Sequence, residues 1–552
     1  MRSDRSDEFL RQNTLPKSLQ KKLIFVFMSA FLTAAALFTF SATALAEGTG
    51  VVFIDSVLIG RSEVNINVSA SALPDSDDGM FYLFSKKPYQ DAFTGFPITS
   101  APIDSAVSFQ IPFENDTANG YLYDKFQVAI LKDGIYMPVT DARYITNPEA
   151  LAINSPERMN SGKKGLILDS GKIGHGNTES TQLGVEQAAY NLNLEDVIGG
   201  DRIVSYEYNG KTYHFNSKYL IEYDHAIKTC TEQGMGVSIV LLNPLVPGGE
   251  FMISPSSRGG RALYYMMNTS EDAGLEWLEA VVSYLAYRYN GRNGFGQVDN
   301  WIIGNEVNAK NVWNYSGVDD LMAYAKLYAD ELRICYNAIR SKNANACVCI
   351  SLDQNWTHIH NPRSYFSARA TLDAINDCIT AEGNIDWAVA EHPYNYPMGW
   401  TPFWTPKNET AQAMIRHDID TPYLSMENIE QLSDYLSHPI LRNTKGDVRP
   451  ILLTEVGYSS TQGEEAQAAA IVYAYQRAMT NQYIDLIAFN RQTDYPSEVS
   501  QNLEVGLTRQ NGTRKLAFEF YKEMNGENAD TYIRAAAQIM GISDWNMAMY
   551  AR

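Results

Sequence analysis

Eight short apolar runs recur through the C-terminal two-thirds of the chain, and helical stretches separate them. They are Gly165–Leu168, Arg202–Tyr206, Val237–Leu242, Trp301–Ile303, Val348–Leu352, Trp387–Ala390, Ile451–Thr454 and Ile484–Phe489. Between two of them Leu275, Leu278, Val282, Leu285 and Tyr289 make one apolar stripe at helical spacing, which stops at Gly291. Thr461-x-x-Glu464 reads as a capping box opening the Ala-rich run Ala466–Met479. Strands that alternate with helices in this way must pair in parallel, which predicts an α/β fold, a (β/α)8 TIM barrel. A doubly wound open sheet is the competitor, and it loses support because no G-x-G-x-x-G or Walker A motif follows any strand. The second run is the weakest strand: Val204–Phe215, with Asn209-Gly210 at its centre, also reads as a β-hairpin inserted in a loop.

The stretch before the barrel has another rhythm. Val51–Ile54, Val64–Val68, Met80–Phe84 and Phe126–Leu131 are rich in Val, Ile, Phe and Tyr, and Lys132-Asp133-Gly134 marks a hairpin turn. Six or seven short strands without a helical pattern predict a small all-β sandwich-like accessory domain over residues 47–155, ahead of a barrel with C-terminal helices over 160–552. Residues 1–46 are expected to stand outside the fold. Lys17, Lys21 and Lys22 precede an apolar run from Leu23 to Phe40, and Ala44-Leu45-Ala46 is a signal-peptidase pattern. The alternative is an uncleaved anchor, because the run approaches the about 20 residues that span a bilayer. Both fates export the rest of the chain, secreted or at the cell surface, with membrane contact only if the segment is retained.

Charge and cysteines narrow the function. Lys and Arg total 44 against 64 Asp and Glu, a net charge of −20, so phosphate backbones and anionic lipid are not expected partners. The five cysteines form no C-x-x-C, and Cys347 and Cys349 stand two apart in a strand, facing the same way as small apolar groups.

In a barrel, chemistry sits where strands end. Strand four ends Ile303-Gly304-Asn305-Glu306 and strand seven Leu453-Thr454-Glu455, nearly opposite across the mouth. Cleaving a glycosidic bond needs such a pair: one carboxyl protonated to serve the leaving oxygen, the other ionised to attack or stabilise the sugar cation. Strand six ends Glu391-His392-Pro393-Tyr394; neighbours on a strand face opposite ways, and the inward one is taken to be His392. Strand five ends Asp353-Gln354-Asn355-Trp356, where Asn355 and Trp356 are candidate sugar contacts. The loop after strand six carries Tyr394, Tyr396, Trp400, Phe403 and Trp404, of which Trp400 and Trp404 are candidate stacking surfaces. His358-x-His360 follows strand five rather than strand one, and the further ligands a metal-dependent barrel hydrolase would need are missing, so no metal is expected.

With Gly304-Asn305-Glu306 after strand four and Thr454-Glu455 after strand seven, the barrel resembles the clan A retaining glycoside hydrolases. That resemblance implies Glu306 as acid/base, Glu455 as nucleophile and Asn305 as a hydrogen-bond partner of the sugar 2-hydroxyl. It also implies a contact to the nucleophile from a Tyr after strand six, a place held by Tyr394 or His392. An aromatic floor is implied at the end of strand eight, where clan members often have Trp and this chain has Phe489. The expected protein is an exported glycoside hydrolase cleaving a β-linked oligo- or polysaccharide with retention and without cofactor. A transglycosidase using the same pair and a non-catalytic carbohydrate-binding surface protein are the alternatives; oligomeric state is open.

Overall fold

The structure, a computed structural model, describes residues 51–115, 117, 120–159, 162–174, 176, 178–405 and 413–550. The expected leader, residues 1–46, lies outside them. The first described domain is a pair of antiparallel sheets. One holds β1 (Val52–Ile59), β2 (Glu63–Ala70) and β5 (Ala106–Pro112). The other holds β4 (Thr99–Pro102), β3 (Met80–Lys86), β6 (Lys125–Lys132) and β7 (Ile135–Pro138), with β8 (Arg143–Tyr144) on β6. Alternation sends Val64, Ile66 and Val68 of β2 inward with Phe81, Leu83 and Val128, all buried. Each such side chain contributes about 1.5–3 kcal/mol by leaving water. The β6–β7 hairpin turns through Asp133 and Gly134, both left-handed, with φ of 51° and 75°, as a tight turn matched to strand twist requires.

Eight parallel strands then close a barrel in chain order. They are β9 (Lys164–Ile167), β10 (Gln187–Asn193), β13 (Gly236–Leu242), β14 (Asn300–Ile303), β15 (Cys347–Asp353), β16 (Trp387–His392), β17 (Ile451–Val456) and β18 (Ile484–Phe489), which pairs back onto β9. Among the described residues the larger helices around it are α1 (Leu220–Glu232), α2 (Asp272–Arg288), α3 (Leu321–Arg340), α4 (Ala368–Ala381), α5 (Glu430–Leu436), α6 (Glu464–Thr480), α7 (Leu516–Glu523) and α8 (Ala529–Met540). The barrel interior is filled by every second residue of the strands, including Ala189, Val240, Ile302, Cys349, Ala390, Leu452 and Ala488. Their neighbours, such as Trp301, Ile350, Val389 and Leu453, face outward beneath the helices.

Two local expectations are corrected. Residues 202–206 are not the second barrel strand: β11 (Ile203–Tyr208) and β12 (Lys211–Asn216) form a separate hairpin turning at Asn209-Gly210. The second barrel strand is Gln-Ala-Ala-Tyr-Asn-Leu-Asn, in which Ala189 faces the interior and Ala188 the outer core, and the run lacks the β-branched signature of a strand. The Thr461–Glu464 box does not form either, because Gly463 precedes α6 and Glu464 instead accepts from the Leu516 amide at 2.7 Å. All five cysteines are free, and Cys347 and Cys349 face the same way with sulfurs 3.8 Å apart.

The β domain docks on the flank of the barrel, against α3 and the end of α4. Buried Lys125 meets Asp330 at 3.2 Å and Glu382 at 2.8 Å, and the Tyr144 hydroxyl donates to Asp330 at 2.8 Å. Asn337 closes the seam by donating to the Leu122 carbonyl at 2.7 Å. The domain is thus a brace on the outer helices, leaving the strand C-termini clear.

Candidate active site

Both glutamates reach the mouth by breaking strand geometry. After β14 the chain turns through left-handed Gly304 (φ 73°) and Glu306 (φ 39°). A non-glycine residue there costs about 1–3 kcal/mol and persists only when its surroundings fix it. Here they do: the Glu306 amide donates to Ser351 Oγ at 2.9 Å, the Val307 amide to the Ser351 carbonyl at 2.9 Å, and the Ala309 amide to the Glu306 carbonyl at 2.7 Å. On β17, Leu452 faces in and Leu453 out, so strict alternation would give Thr454 in and Glu455 out. An irregularity in the β17–β18 register between Leu453 and Val456 lets both Thr454 and Glu455 address the interior.

His392 joins the two carboxylates. Its Nδ1 lies 2.9 Å from Glu306 Oε1 and 4.0 Å from Glu455 Oε2, while Nε2 lies 3.1 Å from Thr454 Oγ1. Glu455 is held from the other side, where the Tyr394 hydroxyl donates to Oε1 and Asn490 Nδ2 donates to the same oxygen at 3.3 Å and to the Tyr394 oxygen at 3.1 Å. Gly457 makes room for the tyrosine: a Cβ there would stand 3.0 Å from the Tyr394 ring. Behind His392 sits Asp353, buried, accepting from Asn308 Nδ2 at 2.6 Å, from the Asn355 amide at 2.9 Å and from Asn355 Nδ2 at 2.7 Å.

The electrostatics separate the two glutamates. The Glu306 side chain is 15% exposed and that of Glu455 is 29% exposed. Burial pushes the Glu306 carboxyl above its ordinary range, against the lowering effect of His392. Burial alone would lower the His392 imidazolium, but its bond to Glu306 and the charges of Glu455, Glu306 and Asp353 more than offset that and raise it. Burial thus favours the protonated form of Glu306, and the surrounding carboxylates favour the protonated form of His392. Burial and the Glu455 charge lift the Tyr394 phenol far above its usual value, so it remains a donor.

The expected site residues divide. Glu306, Glu455, His392 and Tyr394 converge. Asn305 stands half-buried between Gly304 and Glu306, and its amide makes no hydrogen bond among the described residues, which leaves it available to a ligand. Asn355 faces the site but spends its amide on Asp353. Trp356 is turned away, fully buried, with its Nε1 on the Ile419 carbonyl and its ring edge-on to Tyr435. Trp404 packs against the core edge-on to Phe403, and Trp400 is half-buried in a loop tied back by Asn395 and Thr401. Phe489 is no floor: it is 2% exposed and points outward onto Tyr521 of α7. Glu391 likewise points outward in register with Leu352 and Leu453. Sequence reading gave no role to Asn490, Asp353, Asn308 or Thr454. The parity of Asp353 with inward Cys349 and Ser351 was the available signal for one of them. Among the described residues no three His, Cys, Asp or Glu side chains are grouped so as to hold a metal ion.

A model of a family of unknown function, DUF5722, matches residues 156–548. No curated protein matches the sequence. Among solved structures, the chain is similar to a family 39 glycoside hydrolase from the gut symbiont Bacteroides cellulosilyticus WH2, at 14% identity over 85% of this chain and 81% of that one, with a TM-score of 0.43. It is also similar to an exo-β-1,4-mannosidase from Opitutaceae bacterium strain TAV5, at 15% identity over 69% and 60%, TM-score 0.39. A β-D-glucuronidase from Dictyoglomus thermophilum matches at 11% identity over 86% and 68%, TM-score 0.35.

Proposed function

The chain belongs to the DUF5722 family, and we propose that this member is an exported retaining glycoside hydrolase acting on β-linked glycans. The observation that carries the reading is one imidazole nitrogen shared by two carboxylates in unequal surroundings. Oxygens at 2.9 and 4.0 Å from the same atom stand no more than about 7 Å apart, a limit that admits the about 5–5.5 Å of retaining pairs and excludes the wider part of the about 6.5–9.5 Å used for inversion.

In the proposed reaction Glu455, the more exposed carboxylate, attacks the anomeric carbon as Glu306 gives its proton to the departing oxygen. Tyr394 and Asn490 hold the attacking carboxylate in one orientation by donating to Oε1, leaving Oε2 for the sugar. Glu306, now ionised beside His392, takes a proton from water, which displaces Glu455 and releases the sugar with retained configuration. Asn305 is placed to donate to a substrate hydroxyl. No step calls for a metal or organic cofactor.

The test is turnover of aryl β-glycosides with good and poor leaving groups by the wild-type protein, Glu455→Gln and Glu306→Gln. Glu455→Gln should lose at least about a thousand-fold on every substrate. Glu306→Gln should lose about 100–10,000-fold on poor leaving groups and far less on activated ones, which need no proton. Equal activity in all three proteins sinks the assignment of this pair.

A further inference from the structure

We propose that Tyr264 and Trp313 form a stacking platform for a sugar ring adjoining the one whose bond is cleaved, so that the site takes a neutral β-linked oligosaccharide or polysaccharide. This rests on the glycosidase reading above and adds the substrate class to it.

The platform is built from two βα loops. Tyr264 lies in the loop after β13, which is anchored where the Tyr265 amide donates to the Asn243 carbonyl at 2.9 Å. Trp313 lies in the loop after β14, the same loop that carries Glu306. The loops are zipped together, the Tyr315 amide donating to the Tyr264 carbonyl and the Met266 amide to the Tyr315 carbonyl, each at 3.1 Å. This fixes the two rings nearly parallel, 18° between planes and 5.7 Å between centroids. Tyr264 rests on the apolar residues that fill the barrel interior.

Neither ring completes the core, since both stay partly exposed. The other aromatic groups near the mouth are used differently: Trp356 and Trp404 are packed beneath loops, and Tyr396 meets buried Tyr423 edge-on. A pair of flat, near-parallel, half-open rings on the loop that carries the acid catalyst and the loop zipped to it offers an aromatic face to the C–H face of a pyranose, which packs on aromatic carbon while its hydroxyls stay wet. Charge selects the kind of sugar. Glu306, Asp353 and Glu455 lie at the mouth, and two cations beside them are paired with carboxylates, Lys172 with Asp169 at 3.0 Å and Arg491 with Glu498 at 3.3 Å. A uronate would enter against the exposed Glu455 carboxylate; a neutral ring would not.

The test compares kcat/KM on 4-nitrophenyl β-glycosides of glucose, galactose, mannose and xylose with that on their β-1,4-linked trisaccharide counterparts. Trp313→Ala and Tyr264→Ala should each lower the trisaccharide-to-monosaccharide ratio about ten-fold, and Tyr264→Phe, which keeps the flat face, should recover most of it. In parallel, the intrinsic fluorescence change on titration with the free oligosaccharides should saturate in the wild type and be lost in Trp313→Ala. A ratio unmoved by both alanine variants overturns the platform while leaving the glycosidase reading intact. Faster turnover of the aryl β-glucuronide than of every neutral glycoside overturns the neutral-substrate assignment. If no glycoside is turned over, the glycosidase reading fails and the titration alone decides: saturable binding that requires Trp313 keeps the platform, and its absence overturns it. Should an alanine variant lose its cooperative melt, Trp313→Leu and Tyr264→Leu replace it in both measurements.

Discussion

The barrel buries carboxyl groups in two regions and treats them in opposite ways. At the mouth, Glu306, Glu455 and Asp353 each meet hydrogen-bond donors, from His392, Tyr394, Asn490, Asn308 and Asn355. In the helical layer, Glu331 of α3 has one oxygen on the Met267 amide at 3.0 Å and the other without a partner among the described residues. Neither oxygen of Glu391 finds a donor there. Burial lifts carboxyls in both regions: Glu331 and Glu279 to about 8, Glu391 well above its ordinary value, and Glu306 upward. A displaced carboxyl therefore does not identify a site by itself. What separates the mouth from the layer is that its carboxylates share an imidazole and border open space, so their protons can move.

The largest effect that would break this distinction concerns His392. Burial raises Glu306, and the imidazole is the main influence pulling it back down. Replacing the imidazole in His392→Asn removes that pull, so Glu306 should keep its proton to higher pH. The alkaline limb of the kcat/KM profile, which reports loss of that proton from the free enzyme, should move upward, with kcat/KM at the optimum falling about ten-fold or more. An alkaline limb that stays in place would mean Glu306 and His392 are no more coupled than the carboxyls of the helical layer.

The helical layer makes the complementary prediction, on stability. A carboxyl near 8 in the folded chain and near 4.3 in the unfolded chain binds more protons when folded. Below about pH 4 it contributes nothing adverse; as pH rises from about 4.3 to 8 the unfolded state ionises freely and the folded state is progressively disfavoured. Glu331→Gln, a neutral side chain of the same shape that still accepts from Met267, should flatten the fall of Tm between pH 5 and 8 and raise Tm at pH 8 by a few degrees, corresponding to on the order of 1–3 kcal/mol. Equal pH slopes in the two proteins would show that Glu331 is stably ionised in the fold.

The same contrast explains what the residues revealed in advance. The barrel was legible because its strands carry dense apolar runs, and the pair Glu306 and Glu455 because each stands at the end of such a run. The side chains that orient them were not. Asn490 and Thr454 are polar residues of ordinary kinds at strand ends, and their roles depend on the β17–β18 register shift and the left-handed turn at Glu306, which no hydrophobic pattern encodes. The second strand was misplaced for a related reason: an Ala-Ala-Tyr-Asn run without β-branched residues does not look like a strand. Aromatic residues misled in the other direction, since Trp and Phe at loop and strand ends fill the helical layer as readily as they meet a sugar.

Phe489 is the sharpest instance of that ambiguity, and the smallest of the expected effects. At the end of β18 it occupies the position where a site floor was anticipated, yet alternation from inward Ala488 turns it out against Tyr521, with ring centroids 5.8 Å apart and planes 88° apart. Phe489→Leu keeps an apolar side chain but loses that edge-on contact and some volume, so it should cost on the order of 1 kcal/mol of stability, read as a lower midpoint in a urea melt. KM and kcat on an aryl glycoside should both stay within about two-fold of wild type, because the ring belongs to the outer core and packs on Tyr521. A ten-fold rise in KM with an unchanged melt would place the ring at the substrate after all and move the boundary between the two regions inward by one residue.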